Sequence, residues 1–188
     1  MGKQLFGKNI SIIDDVYHPL QLGAPFDGEG VPRQRVTLVQ SGVPRNLVYS
    51  RASAKKDGKK PTGHGFGLPN EYGEAPMNLV FGGGDSSVEK MIANTDRGLL
   101  VTRVWYIREV DPYEKVMTGM TRDGLFLVEN GKITSAVRNF RFNQSLIELL
   151  QNVEAMGPAV RATAEEAFEM VVPAMKVNGF HFTEPTKF

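Results

Sequence analysis

The chain has 188 residues, 41% of them hydrophobic and 9% aromatic, the size of one ordinary globular domain and enough to bury a core unaided. Lys and Arg number 22 against 21 Asp and Glu, a net charge of +1, which argues against a nucleic-acid binder and its basic surface. No apolar run approaches the roughly 18 residues of a membrane helix, the N-terminal residues lack a signal-peptide core, and zero Cys excludes disulfides, a Cys nucleophile and thiolate zinc sites, so a cytoplasmic address is expected.

Residues 9–14 (Asn-Ile-Ser-Ile-Ile-Asp) read as the first strand, followed by a polar, Gly- and Pro-rich loop over 18–32. Residues 35–40 alternate, Ser41 and Gly42 make a turn, and 45–50 return, which predicts a β-hairpin. A short helix is predicted at 51–56. Residues 57–75 carry Gly58, Gly63, Gly65, Gly67 and Gly73 with Pro61 and Pro69; a loop this long inside a compact domain is usually a binding loop, a lid or disordered. Residues 77–81 read as a buried strand ending in Gly82, Gly83 and Gly84. Ser86 with Glu89 forms a capping-box pattern, and Val88, Met91 and Ile92 give the following helix one apolar face.

Residues 99–107 (Leu-Leu-Val-Thr-Arg-Val-Trp-Tyr-Ile) are β-branched and aromatic, the strongest strand signal in the chain. Residues 125–128 and 133–137 flank Asn130 and Gly131, a pair suited to a type I′ turn. Ser145 with Glu148 is a second capping box, followed by Leu146, Leu149, Leu150 and Val153 on one helical face. Residues 169–172 and 175–182 are further strand candidates, the latter turning at Asn178 and Gly179. Strands mostly follow strands, so the expected class is α+β: β-rich, with a mainly antiparallel curled or barrel-like sheet and two or three short helices.

Few residues carry chemistry by pattern alone. His18, His64 and His181 stand at no metal-ligand spacing to one another. His64, between two glycines on the long loop, fits an acid, a base or a ligand completed elsewhere, but a solvated loop histidine is the favoured reading. His18 reads as turn chemistry before Pro19, and His181 as the polar face of a strand between Phe180 and Phe182. The glycines at 82–84 lack a following Lys-Ser/Thr and read as a strand-to-helix turn. Asp27 and Glu29 suggest a hard-cation site, but without the remaining ligands of a calcium loop. In Arg138-Asn-Phe-Arg-Phe142, strand spacing puts Phe140 and Phe142 on one face and Arg141 on the other, a core and solvent alternation.

Several blocks taken together resemble a known family. Gly98-Leu-Leu-Val-Thr-Arg103, Thr118-Gly-Met-Thr-Arg-Asp-Gly124, Phe126-Leu-Val-Glu-Asn-Gly-Lys-Ile133, Val137-Arg-Asn-Phe-Arg-Phe-Asn143 and Asn152-Val-Glu-Ala-Met-Gly157 resemble the C-terminal domain of the TldD/PmbA proteins in order and spacing. Asp14-Asp15, Phe26-Asp-Gly-Glu-Gly-Val-Pro32 and Pro61-Thr-Gly63 extend the resemblance over nearly the whole chain. It implies one domain over 1–188, with the family's N-terminal domain absent. The family comprises intracellular metallopeptidases, also called modulators of DNA gyrase, that pair a TldD-like with a PmbA-like (TldE-like) subunit and degrade unfolded peptides in a closed chamber. In its TldD-like members zinc is held by a His-Glu-x-x-x-His helix and a cysteine near the C-terminus. This chain has neither that motif nor any Cys, so no metal ligand and no catalytic residue is carried over.

The resemblance thus implies a domain that contributes chamber wall and peptide-holding surface but no zinc site, inactive alone, with zinc a cofactor only of the metal-bearing members. The expected partners are an unfolded or extended peptide and either a second copy or a TldD-like or PmbA-like subunit, with no nucleic acid and no membrane. The residues expected to touch peptide are Thr118, Gly119, Thr121, Arg122 and Asp123, with Gly63 and His64 of the long loop; plain turn geometry is the competing reading for both segments. The alternative function is a non-catalytic PmbA/TldE-like assembly partner or interaction module.

Overall fold

Two hairpins whose turns are written into the sequence anchor the computed structural model, which describes residues 2–164 and 167–186. The chain divides into two compact units, residues 1–83 with 158–173 and residues 84–157 with 174–188. The described residues hold eleven strands and three helices.

In the first unit, β1 (Ile12–Asp14) pairs antiparallel with β2 (Val36–Gln40), which turns through Ser41 and Gly42 into the two-residue β3 (Val43–Pro44). The pairing runs one rung past β3, from the Arg45 N–H to the Leu38 carbonyl at 2.8 Å, and the expected return strand over 45–50 does not form. Beyond it the Asn46 side chain donates to the Thr37 carbonyl at 2.8 Å, taking the place of a backbone rung. Helix α1 (Arg51–Asp57) starts at Ser50, whose hydroxyl accepts from the Ser53 N–H, and ends at Gly58 in the left-handed conformation. Strand β4 (Leu79–Phe81) pairs antiparallel with β1, and parallel with β10 (Ala167–Val177) at Val171 and Val80. With β9 (Val153–Ala164) the sheet order is β3-β2-β1-β4-β10-β9. Ile10, Ile12, Val36, Val39, Val80 and Val171 are buried in this unit.

In the second unit, helix α2 (Val88–Ala93) is capped by Ser87, one residue later than the sequence pattern places it. Ser87 accepts from the Lys90 N–H, and its hydrogen bond to Glu89 holds that carboxyl below its ordinary pKa. Strand β5 (Arg97–Asp111) runs antiparallel to β6 (Val116–Glu129), and β6 turns through Asn130 and Gly131 into β7 (Lys132–Ala136). Both turn residues have positive φ, 50° and 76°, as a type I′ turn requires. Strand β8 (Phe140–Ser145) pairs with the first half of β6 and with β11 (Phe182–Pro185), giving the order β11-β8-β6-β5. Helix α3 (Leu146–Gln151) begins at Ser145, as its capping box predicts. Met91, Met120, Leu125, Val128, Phe142 and Met156 are buried here.

The class is the expected β-rich α+β fold with antiparallel-dominated sheets, but these sheets are open and do not close into a barrel. No helix among the described residues is long and apolar enough to cross a membrane.

Candidate functional site

His64 is not a solvated loop residue. It is 1% exposed, and both ring nitrogens are engaged: Nε2 lies 3.0 Å from Asp14 Oδ1 and Nδ1 2.9 Å from Thr62 Oγ1. Asp14, at the end of β1, is fully buried, and its other oxygen accepts from the Asn78 N–H at 2.8 Å. Thr62 Oγ1 accepts from the Tyr49 N–H at 2.8 Å. The imidazole therefore ties the long loop to β1 and, through Thr62, to the segment that leads into α1. A buried carboxylate of this kind persists because its lone pairs are satisfied.

The loop around His64 is held from a second side. Asp27 accepts from the Glu29 and Val31 N–H groups with one oxygen and from the Gly65 N–H, at 2.7 Å, with the other. Glu29 accepts from the Arg51 N–H at 2.7 Å. These two carboxylates are spent on backbone donors, so the hard-cation reading of residues 27–30 gives way to a loop clasp. Gly28 and Gly67 touch so closely that a Cβ on Gly28 would stand 2.2 Å from the Gly67 nitrogen, which is why the clasp needs glycine there.

Thr118, Gly119, Thr121, Arg122 and Asp123 belong to the second unit and lie on β6 itself, not in a turn. Thr118 donates to the Phe142 carbonyl at 3.2 Å, and Gly119 lies under the Phe142 ring, which a Cβ would meet at 2.5 Å. Thr121 is 1% exposed, donates to Asn139 Oδ1 and accepts from the Phe140 N–H, both at 3.0 Å. At Asp123 the strand bulges: Arg103 faces Arg122 and Val101 faces Leu125, so Asp123 and Gly124 together oppose Thr102. Asp123 has a positive φ of 63°, a conformation a non-glycine residue adopts only where its surroundings hold it. The holding contacts are Arg103 Nη1 to Asp123 Oδ2 at 2.6 Å and Thr102 Oγ1 to the Gly124 carbonyl at 2.8 Å.

A cavity of about 420 Å³ opens beside this bulge, lined by Trp105, Met120, Thr121, Arg122, Asp123, Asn139 and Thr186. The Arg122 guanidinium lies 4.2 Å from the centroid of the Trp105 ring, a cation–π contact. Of the residues expected to touch peptide, Thr121, Arg122 and Asp123 line the cavity; Thr118 and Gly119 do not. Trp105, Met120, Asn139 and Thr186 are additional. The register that sets Trp105 opposite Met120 fixes two of them, and no periodicity in the sequence reveals that pairing.

Neither place fits a metal. Among the described residues no three His, Asp, Glu or Cys side chains converge, and the buried His64 and Asp14 already satisfy each other and their neighbours. His18 Nδ1 accepts from the Leu20 N–H at 3.2 Å, and His181 Nδ1 lies 3.0 Å from the Asn143 carbonyl.

The family model described as the PmbA/TldA metallopeptidase C-terminal domain matches residues 1–184. The chain is 27% identical over 186 residues to the metalloprotease PmbA of Escherichia coli O157:H7, an alignment covering 95% of this chain and 38% of that protein. A crystal structure of TldE from Thermococcus kodakarensis superposes with a TM-score of 0.83 at 24% identity, over 98% of this chain and 42% of that one. A proposed modulator of DNA gyrase from Thermotoga maritima superposes with a TM-score of 0.83 at 26% identity, over 97% of this chain and 41% of its own length. The chain thus spans about two fifths of these relatives.

Proposed function

This chain belongs to the PmbA/TldA metallopeptidase C-terminal domain family, and we propose that within such a peptidase it holds an extended, unfolded peptide and forms part of the wall around it, while the metal centre is built by other chain. The observation that carries this reading is the cavity lined by Trp105 and residues 121–123, since Trp105 sits on β5, a 15-residue strand at the edge of its sheet. A peptide added to a sheet edge gains backbone hydrogen bonds whatever its sequence, and a neighbouring pocket takes a side chain. Such binding suits a peptidase that acts on unfolded chains.

In this reading Arg122 and Asp123 contact the peptide, Thr121 fixes the cavity floor through Asn139, and Thr118 and Gly119 shape the strand beneath. His64, its ring buried against Asp14 and Thr62, holds the loop that carries Gly63 and does not reach substrate with its side chain. Metalloprotease is the name the relatives carry; no step of the metal chemistry is assigned to this chain. The test is the affinity of a fluorescently labelled unstructured peptide for the 188-residue chain, read by anisotropy. Arg122→Ala is expected to weaken binding about tenfold, the loss of one charged contact to the peptide. Unchanged affinity, or no binding by the wild type, overturns the assignment.

A second reading, a non-catalytic partner that assembles through its sheet with a second copy or a TldD-like subunit, is favoured by one observation. Val104, Tyr106, Ile107 and Val110 are exposed along β5, and a long apolar edge strand is a ready template for pairing with another chain. Sedimentation with and without Val110→Lys tests it. Concentration-dependent association abolished by the substitution supports assembly through β5, and a monomer throughout removes self-association through it.

A further inference from the structure

The first unit contains a second cavity, of about 320 Å³, whose walls include Leu22, Ala24, Met77, Asn78, Arg33 and Glu169. Its frame is fixed. The Gln21 side chain donates to the Leu79 carbonyl at 2.9 Å, the Asn78 amide donates to Gln21 Oε1 and the Leu22 carbonyl, both at 3.2 Å, and the Arg33 N–H donates to the Pro25 carbonyl at 2.9 Å. Glu169 sits on β10, two residues from the pairing of Val171 with β4.

Arg33 and Glu169 are opposite charges on the walls of one cavity, and neither is fully used. Arg33 Nη1 and Glu169 Oε2 are withdrawn from solvent and have no hydrogen-bond partner, including each other. Nothing else among the described residues shares that condition. Polar atoms buried without a partner cost free energy, more so when charged, and native structures rarely leave them. Two such side chains of opposite sign on the walls of one cavity are complementary to a single occupant that carries both an acidic and a cationic group. Guanidinium groups take carboxylates with high specificity, and the cavity is at the small end of ligand sites. The apolar walls at Leu22, Ala24 and Met77 suit an aliphatic side chain.

We propose that this cavity binds a small zwitterion of the α-amino-acid class, with its carboxylate on Arg33, its ammonium on Glu169 and its side chain against Leu22, Ala24 and Met77. This site is separate from the Trp105 cavity and does not depend on the peptide-holding role. The source of the zwitterion is either a free amino acid or a short peptide carrying both termini, and the two differ in the distance between their charges.

Calorimetric titration of the 188-residue chain with L-leucine and with glycyl-L-leucine distinguishes them, with L-leucinamide and 4-methylpentanoate as analogues that keep one charge each. Binding of either zwitterion, with both analogues at least about tenfold weaker, is the expected result; leucine alone marks a free amino acid and the dipeptide a peptide. Arg33→Gln and Glu169→Gln are each expected to lose about tenfold or more in affinity without lowering the thermal midpoint of the free protein, because the atoms removed had no partner. Ala24→Leu, which fills the cavity and leaves both charges in place, is expected to abolish binding. The proposal is overturned if neither zwitterion binds, if the one-charge analogues bind equally well, or if the variants bind as the wild type does.

Discussion

His64 has Asp14 on one ring nitrogen and Thr62 on the other, with the first pair almost wholly inaccessible to water. Replacing the imidazole by a group that cannot hydrogen-bond leaves a buried carboxylate short of a donor, a loss of about 1–3 kcal/mol or more for a charged group. His64→Leu is therefore expected to lower the free energy of unfolding by that amount in a urea titration, and Asp14→Asn combined with it is expected to cost clearly less than the two single changes added. Strict additivity would show that the two residues do not act as a pair. The sequence places His64 between Gly63 and Gly65, a pattern that reads as a solvated loop. What reverses that reading is Asp14, fifty residues earlier, and no local rule announces a partner that distant. Thr121 is a similar case, since its burial depends on Asn139 and Phe140 on a neighbouring segment.

Elements whose reasons are local were legible. Ser145 with Glu148 sets the start of α3, and Asn130 with Gly131 sets the turn between β6 and β7. Elements whose reasons lie in pairing were not. β9 passes through Gly157 and Pro158, which interrupt any strand pattern, and it is a strand because β10 lies beside it in the sheet order. The first half of β6 reads as a turn in sequence because Gly119, Asp123 and Gly124 are turn formers. In the structure it is a bulged strand between β5 and β8. The clasp between residues 27–30 and 63–67 is likewise a matter of close approach. Gly28→Ala drives a Cβ into the Gly67 backbone and is expected to destabilise by about 1–3 kcal/mol, as overpacking does. Gly82→Ala has only ordinary van der Waals neighbours at 3.6 Å and is expected to change the thermal midpoint little. Equal midpoints for both variants would show that the clasp does not constrain the fold.

At the scale of the whole molecule, a match over residues 1–184 fixes the family, while the chain spans about two fifths of its relatives. The family and the β-rich class were legible because ordered motifs survive where individual identities do not. The cavity beside Trp105 was legible only in part: its β6 wall stands in the Thr118–Gly124 motif, but its β5 wall depends on register. The division of labour proposed here, peptide held by this chain and metal held elsewhere, makes two statements about one sample. Trp105 is the single tryptophan and lines the peptide cavity, so its emission reports occupancy directly. The decisive measurement is a titration of the 188-residue chain with an unstructured peptide in the presence of zinc, following Trp105 fluorescence and, in the same sample, the peptide's mass. A saturable change in emission with the peptide recovered intact is the predicted result. An emission that does not respond, or zinc-dependent cleavage of the peptide by this chain alone, would contradict the account.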